Sequence, residues 1–365
     1  MWFNCAIIIF FPGLFSVCTV TAKRGSALLV KKDTSIHLSA APTHSLKLLY
    51  TGCGGLVIKS GDNMIMTDPY YTGHPLDQVL FGRIQIDTAN TQKVLESIRN
   101  KIDDPKKISH VLVSHSHYDH LEDLPWLLDK TKLSDTVKVI GSSSASCTVR
   151  QYSNNARFIN ADEYVHHQAP GQESSGAWIR ISETMSLMPI EARHAPHLLC
   201  FHLMKGPTCC ADFCNRDSST DKTRPLRWRE GPTYSFLLDI LDEKKQDTLR
   251  VFIQTSSCEP PFGFPPCAEL KKKKVDVAIL CVASYAWVNY YPEDILSLLK
   301  PRQTILVHWE DFFKNMYAEH PKSVAGTPLK PFMKRLRRHY NAANNDSLAK
   351  YMVMPEPLRM MEIRY

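Results

Sequence analysis

The chain has 365 residues, 44% hydrophobic and 22% charged, a composition that can bury one large core or two modest ones and excludes a disordered or collagen-like polymer. Its formal charge of +7 is small at this length and comes partly from two local clusters, Lys271 to Lys274 and the bases Lys334, Arg335, Arg337 and Arg338. Both read as solvated faces, so no extended basic stripe of the kind nucleic acid requires is present, and nucleic acid is not an expected partner.

Residues 1–22, "MWFNCAIIIFFPGLFSVCTVTA", are nearly free of charge and largely apolar, the composition of an export signal or a membrane anchor. Pro12 and Gly13 interrupt the run, which favours a cleaved signal. No Lys or Arg precedes the apolar part and Lys23 and Arg24 follow it, which keeps an uncleaved anchor open. "LFSVC" at Cys18 faintly resembles a lipoprotein cleavage site, although Val17 is bulky for that position. Either route predicts an exported protein, with membrane contact only through this segment. Residues 23–44, polar and basic, read as a linker.

From Leu46 the pattern turns to short strands separated by glycine: "LKLLYTG", "GGLVIKS" and "NMIMTDP", with Gly61-Asp62 as a hairpin signal between the last two. Residues 90–103 have the apolar spacing of a helix, and "ISHVLVSHS" returns to a strand. A helix is expected to start in "LEDLPWLLDKT", followed by a strand in "VKVIGSSS" and two in "WIRISETMSLMPIEARH". The span 205–231, rich in Cys, Asp, Arg and Pro, reads as an insertion. "YSFLLDI", "LRVFIQT" and "VDVAILCVAS" then give strands, "YPEDILSLLK" a helix and "QTILVHW" a further strand. Strands arrive first in meanders and later alternate with helices, which predicts a layered α/β protein with mixed sheets. Eleven cysteines suit an oxidising compartment if several are paired. In "CCADFC", Cys209, Cys210 and Cys214 point to a disulfide within the insertion rather than to a structural zinc, because a fourth ligand at familiar spacing is missing.

The stretch that bears on chemistry is "VLVSHSHYDHLEDLP", residues 111–125, which sets His115, His117, Asp119 and His120 within six residues behind an apolar strand. Alternate side chains of an extended segment share a face, so His115 and His117 can enter one site. Asp119 and His120 follow where the chain turns into its helix. Imidazole nitrogen and carboxylate oxygen are the ligands that zinc takes, and a catalytic zinc keeps one position open. A single histidine here would read as ordinary packing; the cluster does not. No P-loop, dinucleotide-binding glycine pattern, G-x-S-x-G elbow or H-E-x-x-H helix competes with it.

"HSHYDH" resembles the H-x-H-x-D-H signature of the metallo-β-lactamase superfamily, and the resemblance extends to Asp68 in "MIMTDP", His194 in "IEARHAPH" and His308 in "TILVHW". It implies a four-layer αββα sandwich of two mixed β-sheets flanked by helices, filling residues 45–365. It also implies that His115, His117 and His194 hold one zinc, with His197 as a rival to His194, and that Asp119, His120 and His308 form a second site. Asp68 would accept an N–H from a ligand histidine and fix its tautomer. The sequence departs from the family after "LRVFIQTSSCEPP", where many members carry an aspartate that bridges the two metals. Gln254, Thr255, Ser256 and Ser257 stand here instead. A hydroxyl such as that of Thr255 is a poorer ligand than a carboxylate, and Cys258 lies a few residues late, so one firmly bound Zn2+ and an uncertain second are expected. The resemblance thus implies a zinc-dependent hydrolase in which a metal-bound hydroxide, oriented by Asp119, attacks an ester, lactone, amide or phosphodiester of a small-molecule or anionic substrate. The rival expectations are a degenerate metal- or ligand-binding protein without turnover and a phosphodiesterase or nuclease of the same fold.

Overall fold

The computed structural model describes residues 28–129, 132–150, 153, 157–168, 175–197, 202–208, 224–242, 244 and 247–365. The apolar N-terminal segment, Cys209, Cys210, Cys214 and the middle of the 205–231 insertion lie outside the described residues. The strands, in chain order, are β1 (Leu29–Val30), β2 (Thr34–His37), β3 (Ser45–Gly52), β4 (Gly55–Ser60), β5 (Asn63–Thr67), β6 (His110–Leu112), β7 (Lys138–Gly141) and β8 (Arg157–Asn160). They continue as β9 (Ile179–Arg180), β10 (Met185–Ala192), β11 (Thr233–Leu241), β12 (Asp247–Gln254), β13 (Val277–Cys281), β14 (Gln303–Val307), β15 (Met352–Pro355) and β16 (Met360–Arg364).

They form two eight-stranded sheets, in the orders β2-β16-β3-β4-β5-β6-β7-β8 and β1-β15-β14-β13-β12-β11-β10-β9. Both sheets are mixed. β3, β4 and β5 are an antiparallel meander and β5 to β8 are parallel, while β10, β11 and β12 are antiparallel and β12 to β15 parallel. The near-continuous apolar runs of the sequence follow from cover on both faces. With a side-chain period of two, Leu48, Ile58, Ile65 and Leu112 point between the sheets and meet Phe236, Leu238, Val251, Ile253 and Ile279 of the other sheet. Their neighbours Leu49, Val57, Met64, Met66, Val111 and Val113 point outward onto Val94, Leu95, Ile98, Leu121 and Leu124. On the far side Leu237, Phe252, Ala278, Leu280 and Leu306 meet Ile295, Leu296, Phe332 and Leu336. Three apolar interlayers separated by two sheets make the four-layer αββα sandwich.

The helix expected over 90–103 runs from Thr88 to Lys101, with Asp87 accepting the free amides of Ala89 and Asn90 at its start. Its buried Thr91, Val94, Leu95 and Ile98 fall at helical spacing. "MKRLRRHY" belongs to the helix Leu329–His339, whose Leu329, Phe332, Met333 and Leu336 are buried. The linker expectation for 23–44 needs correction. β1 adds in parallel to β15 and β2 in parallel to β16, so residues 29–37 close one edge of each sheet. Alternating Thr, Ser, Ile and His made β2 too polar to stand out, and its pairing with β16, from the far end of the chain, is invisible locally.

Asp68 follows β5, His115 and His117 follow β6, His194 follows β10, Thr255 follows β12 and His308 follows β14. Every one leaves the C-terminal end of its strand, the end at which layered α/β sheets gather their functional groups. Phe236 is 1% exposed in the interlayer that keeps these ends in register. Phe236→Ala is expected to destabilise the protein by about 3–5 kcal/mol, read as a lowered urea midpoint at unchanged m-value.

Candidate metal centre

After β6 the chain runs as an irregular loop through Val113–His117 and then turns into the short helix Tyr118–Leu121. His115 and His117, two apart, are both fully buried, with ring centroids 4.8 Å apart and planes crossing at 82°. His194 completes a nearly equilateral triangle, its ring 4.8 Å from that of His115 and 4.7 Å from that of His117. One nitrogen of each of the three lies within 4.8 Å of the others. Two tautomers are fixed by the chain itself. His194 Nδ1 donates to the carbonyl of Ala195 at 2.6 Å, which leaves Nε2 with a free lone pair. Ser114 Oγ donates to Asp68 Oδ2 at 2.8 Å and so accepts from His115 Nδ1 at 3.0 Å. His115 Nε2 and both ring nitrogens of His117 are buried without a hydrogen-bond partner.

A second set lies beside the first, the ring of His120 being 4.0 Å from that of His115. It contains Asp119, His120 and His308 and also Cys53, which sequence reasoning missed. His120 Nε2 and His308 Nε2 lie 3.8 and 3.9 Å from Asp119 Oδ2, and Cys53 Sγ lies 3.6 Å from His308 Nε2 and 3.9 Å from Asp119 Oδ2. The signal for Cys53 was its place in "YTGCGGL", a thiol inside a glycine turn at the C-terminal end of β3. Gly54 follows with φ +81°, and a Cβ there would stand 3.1 Å from Thr255 Cβ and 3.6 Å from His120 Cε1, so the turn is pressed against the site. A buried network unseen in the sequence holds the cluster. Glu310 accepts from the amide of Cys53 at 2.5 Å and from Tyr50 Oη at 2.6 Å, and Tyr50 Oη accepts from the amide of His308 at 2.7 Å.

The remaining candidates separate cleanly. Asp68 accepts from the Ser114 amide at 2.7 Å and places Oδ2 3.1 Å from His120 Nδ1, so it touches the second set directly and reaches His115 of the first through Ser114. His197 stacks on His194 at 4.5 Å and its Nδ1 accepts from the amide of Leu203, while its ring nitrogens stay outside the ligand triangle. Thr255 Oγ1 is buried without a hydrogen-bond partner. Cys258, offered as a substitute ligand, requires correction: it lies in a small apolar cluster with Ala192 and Phe262 and donates to the carbonyl of Phe262. The acids of "HLED" are structural, Glu122 pairing with His74 at 2.8 Å and Asp123 accepting from the Tyr71 amide and from Thr72 and Thr91.

Burial dominates the electrostatics. It holds His115, His117, His194 and His308 well below the ordinary histidine value, helped by the neighbouring imidazoles, so all four are neutral and competent as ligands. Burial pushes Asp119 up, while for His120 the carboxylates of Asp119 and Asp68 outweigh burial and the ring is raised. Burial, then Asp119 and Glu310, raises the thiol of Cys53. Neutral imidazoles with orphaned nitrogens and donor atoms spaced 3.6 to 3.9 Å apart fit a cation. Donors at about 2.0–2.3 Å from a tetrahedral zinc stand about 3.3–3.8 Å from one another.

A depressed histidine stabilises the fold above the unfolded-state value, and that stability is lost as pH falls through the folded value. For His110, held down to about 4 by burial from 6.5, the window is pH 6.5 to about 4. The metal-free protein is therefore expected to lose on the order of 3 kcal/mol from His110 alone across that range, and more from the ligand histidines. Urea midpoints taken from pH 7 to 4 check this; a flat profile contradicts it.

Residues 68–204 match the family model described as the beta-lactamase superfamily domain. Comparison with curated proteins finds no match. Among solved structures, the novel metallo hydrolase Igni18 from Ignicoccus hospitalis is similar over 88% of this chain and 99% of its own, at 12% identity and a TM-score of 0.47. The metallo-beta-lactamase fold protein YhfI from Bacillus subtilis is similar over 88% of this chain and 100% of its own, at 11% identity and 0.44. The diiron beta-hydroxylase CmlA from Streptomyces venezuelae is similar over 89% of this chain and 55% of its own, at 11% identity and 0.46. The span that matches the beta-lactamase superfamily domain contains Asp68, the whole HSHYDH run and His194, the same side chains that the two sheets bring together.

Proposed function

We propose that the protein is a zinc-dependent hydrolase that cleaves an ester, lactone, amide or phosphodiester bond in a small-molecule or anionic substrate. The observation that carries this reading is the convergence of two adjacent donor sets, one of three neutral histidines and one mixed, with the His115 and His120 rings 4.0 Å apart. His115, His117 and His194 would hold the first zinc, and Asp119, His120 and His308 a second. Zinc bound there supplies Lewis-acid polarisation of the scissile group and acidifies water near neutral pH. The chain supplies the rest. Asp119, with Oδ2 within 4 Å of the His120 and His308 nitrogens, accepts the proton of the attacking water and orients it. Asp68 and Ser114 hold the His115 ring against rotation. Glu310 and Tyr50 fix the two turns from the opposite side.

The basic helix is partly neutralised, Arg335 pairing with the Glu293 carboxylate at 2.5 Å. That supports a small substrate over a nucleic acid. Among the described residues no helix is long and apolar enough to cross a membrane. We propose export, supported by the N-terminal composition and by Cys147, which is disulfide-bonded.

Generic esters, lactones and phosphodiesters are the test. Turnover is expected to vanish on chelation and in His117→Ala, and to fall about 10²–10⁴-fold in kcat in Asp119→Asn, whose amide cannot accept the proton. Stoichiometric zinc without turnover across the panel would instead favour a binding protein, the reading that the hydroxyl of Thr255 in place of a carboxylate keeps in play.

A further inference from the structure

We propose that Cys53 is a thiolate ligand of the second metal site, completing with Asp119, His120 and His308 a four-donor set in this chain. The inference rests on the metal centre of the preceding section and adds to it a donor from a strand turn that the signature does not include. Four observations carry it. Sγ stands 3.6 Å from His308 Nε2 and 3.9 Å from Asp119 Oδ2, close to the 3.8 and 3.9 Å that separate Asp119 from His120 and His308, and the four donor atoms all lie within 4.8 Å of one another. The residue is fully buried, and no disulfide engages it. Its backbone is held from behind, the amide donating to Glu310, while Glu310 is itself tied through Tyr50 to the amide of His308. One network therefore fixes both donor-bearing turns. Lastly, Gly54, next to Cys53 in the turn, abuts Thr255, whose buried hydroxyl has no partner, and so the turn that carries the thiol lies against the place where a carboxylate donor is missing.

Both donor-bearing residues also have left-handed backbones, φ +48° at Cys53 and +55° at His308, a conformation that side chains other than glycine adopt only when the surroundings enforce it. The buried thiol belongs to the outer apolar layer, and it also stands 3.9 Å from a carboxylate oxygen of Asp119, a contact that packing alone does not call for. As the sulfur–metal bond forms, the thiol proton leaves to solvent, and the cation takes over the charge that the carboxylates otherwise face unopposed. A sulfur donor further selects zinc, iron or cobalt over magnesium or calcium, which prefer oxygen alone.

The test is cobalt substitution of the metal-free full chain in a Cys267→Ser background, which removes an exposed thiol. With two equivalents of Co2+ a near-ultraviolet sulfur-to-cobalt charge-transfer band is expected. In Cys53→Ser the band should disappear and the second equivalent should bind about 10–100-fold more weakly, with the first unchanged. Cys258→Ser should keep the band. A wild-type protein that holds two cobalts without the band, a band undiminished in Cys53→Ser, or binding of a single cobalt overturns the proposal. X-ray absorption of the zinc-loaded wild type needs no variant: one sulfur neighbour at about 2.3 Å supports it, and a shell of nitrogen and oxygen alone refutes it. A band without turnover would leave this assignment standing and sink the hydrolase reading; turnover by a protein with no band would do the reverse.

Discussion

The site depends on one buried carboxylate. Asp68 leaves the end of β5 with a left-handed backbone, φ +39°, and its two oxygens take the amide and hydroxyl of Ser114 and approach His120 Nδ1. Ser114 hands the constraint on to His115 Nδ1. A single charged group therefore orients an imidazole in each ligand set and pins the β6 loop to the neighbouring strand. Hydrogen bonds to a charged acceptor are stronger than neutral ones, and in a fully buried place each donor lost would leave an uncompensated group behind. Without Asp68 the amide and hydroxyl of Ser114 and the Nδ1 of His120 would lose their shared partner, and the HSHYDH run the group that orients an imidazole in each set.

The sandwich makes this geometry repeatable from strand to strand. Because every ligand-bearing turn leaves a strand's C-terminal end, the positions of Cys53, Asp68, His115, His194 and His308 are set by strand register, and strand register is set by the apolar interlayer. Strain then collects at the rim. Cys53, Asp68 and His308 are all non-glycine residues with positive φ, and each lies in a hydrogen-bonded network that holds it there. A rim built this way places donors to within a fraction of an ångström, at a cost that the packed layers beneath it absorb.

Much of this was legible in the sequence, for local reasons. The meander over β3 to β5, the helix after Asp87 and the strands β10 to β14 carry period-two or helical patterns and turn residues that need no knowledge of distant partners. The histidine run, Asp68, His194 and His308 were legible because ligand chemistry restricts residue type and the strand ends restrict position. What escaped is non-local. β1 and β2 exist through pairing with β15 and β16, more than 300 residues away. Cys53 becomes a donor only once β3 lies beside the loop after β14, and Glu310 matters only because Tyr50 of β3 reaches it. Cys258 shows the opposite error: nearness in sequence to the missing acid suggested a ligand, yet the chain beyond Thr255 turns its thiol towards Phe262.

The two donor sets differ in kind, and that difference bears on how the centre can work. Three neutral imidazoles make a site of no net charge, which leaves a bound dication fully positive and well suited to polarise a substrate oxygen. The second set contains one carboxylate and one thiol, and Glu310 lies behind it as a further buried carboxylate. A cation there would be largely neutralised by the residues that would hold it, which would make it a weaker Lewis acid and a better scaffold. A carboxylate bridge at Thr255 would have shared its charge between both metals; a thiol that belongs to the second set alone would share it with one. The sequence change at 255 therefore does more than weaken a site. In the proposed hydrolase it would redistribute negative charge towards the Asp119 side of the centre, so that the histidine triad would be the electrophilic half and Asp119, beside it, the group that takes the proton.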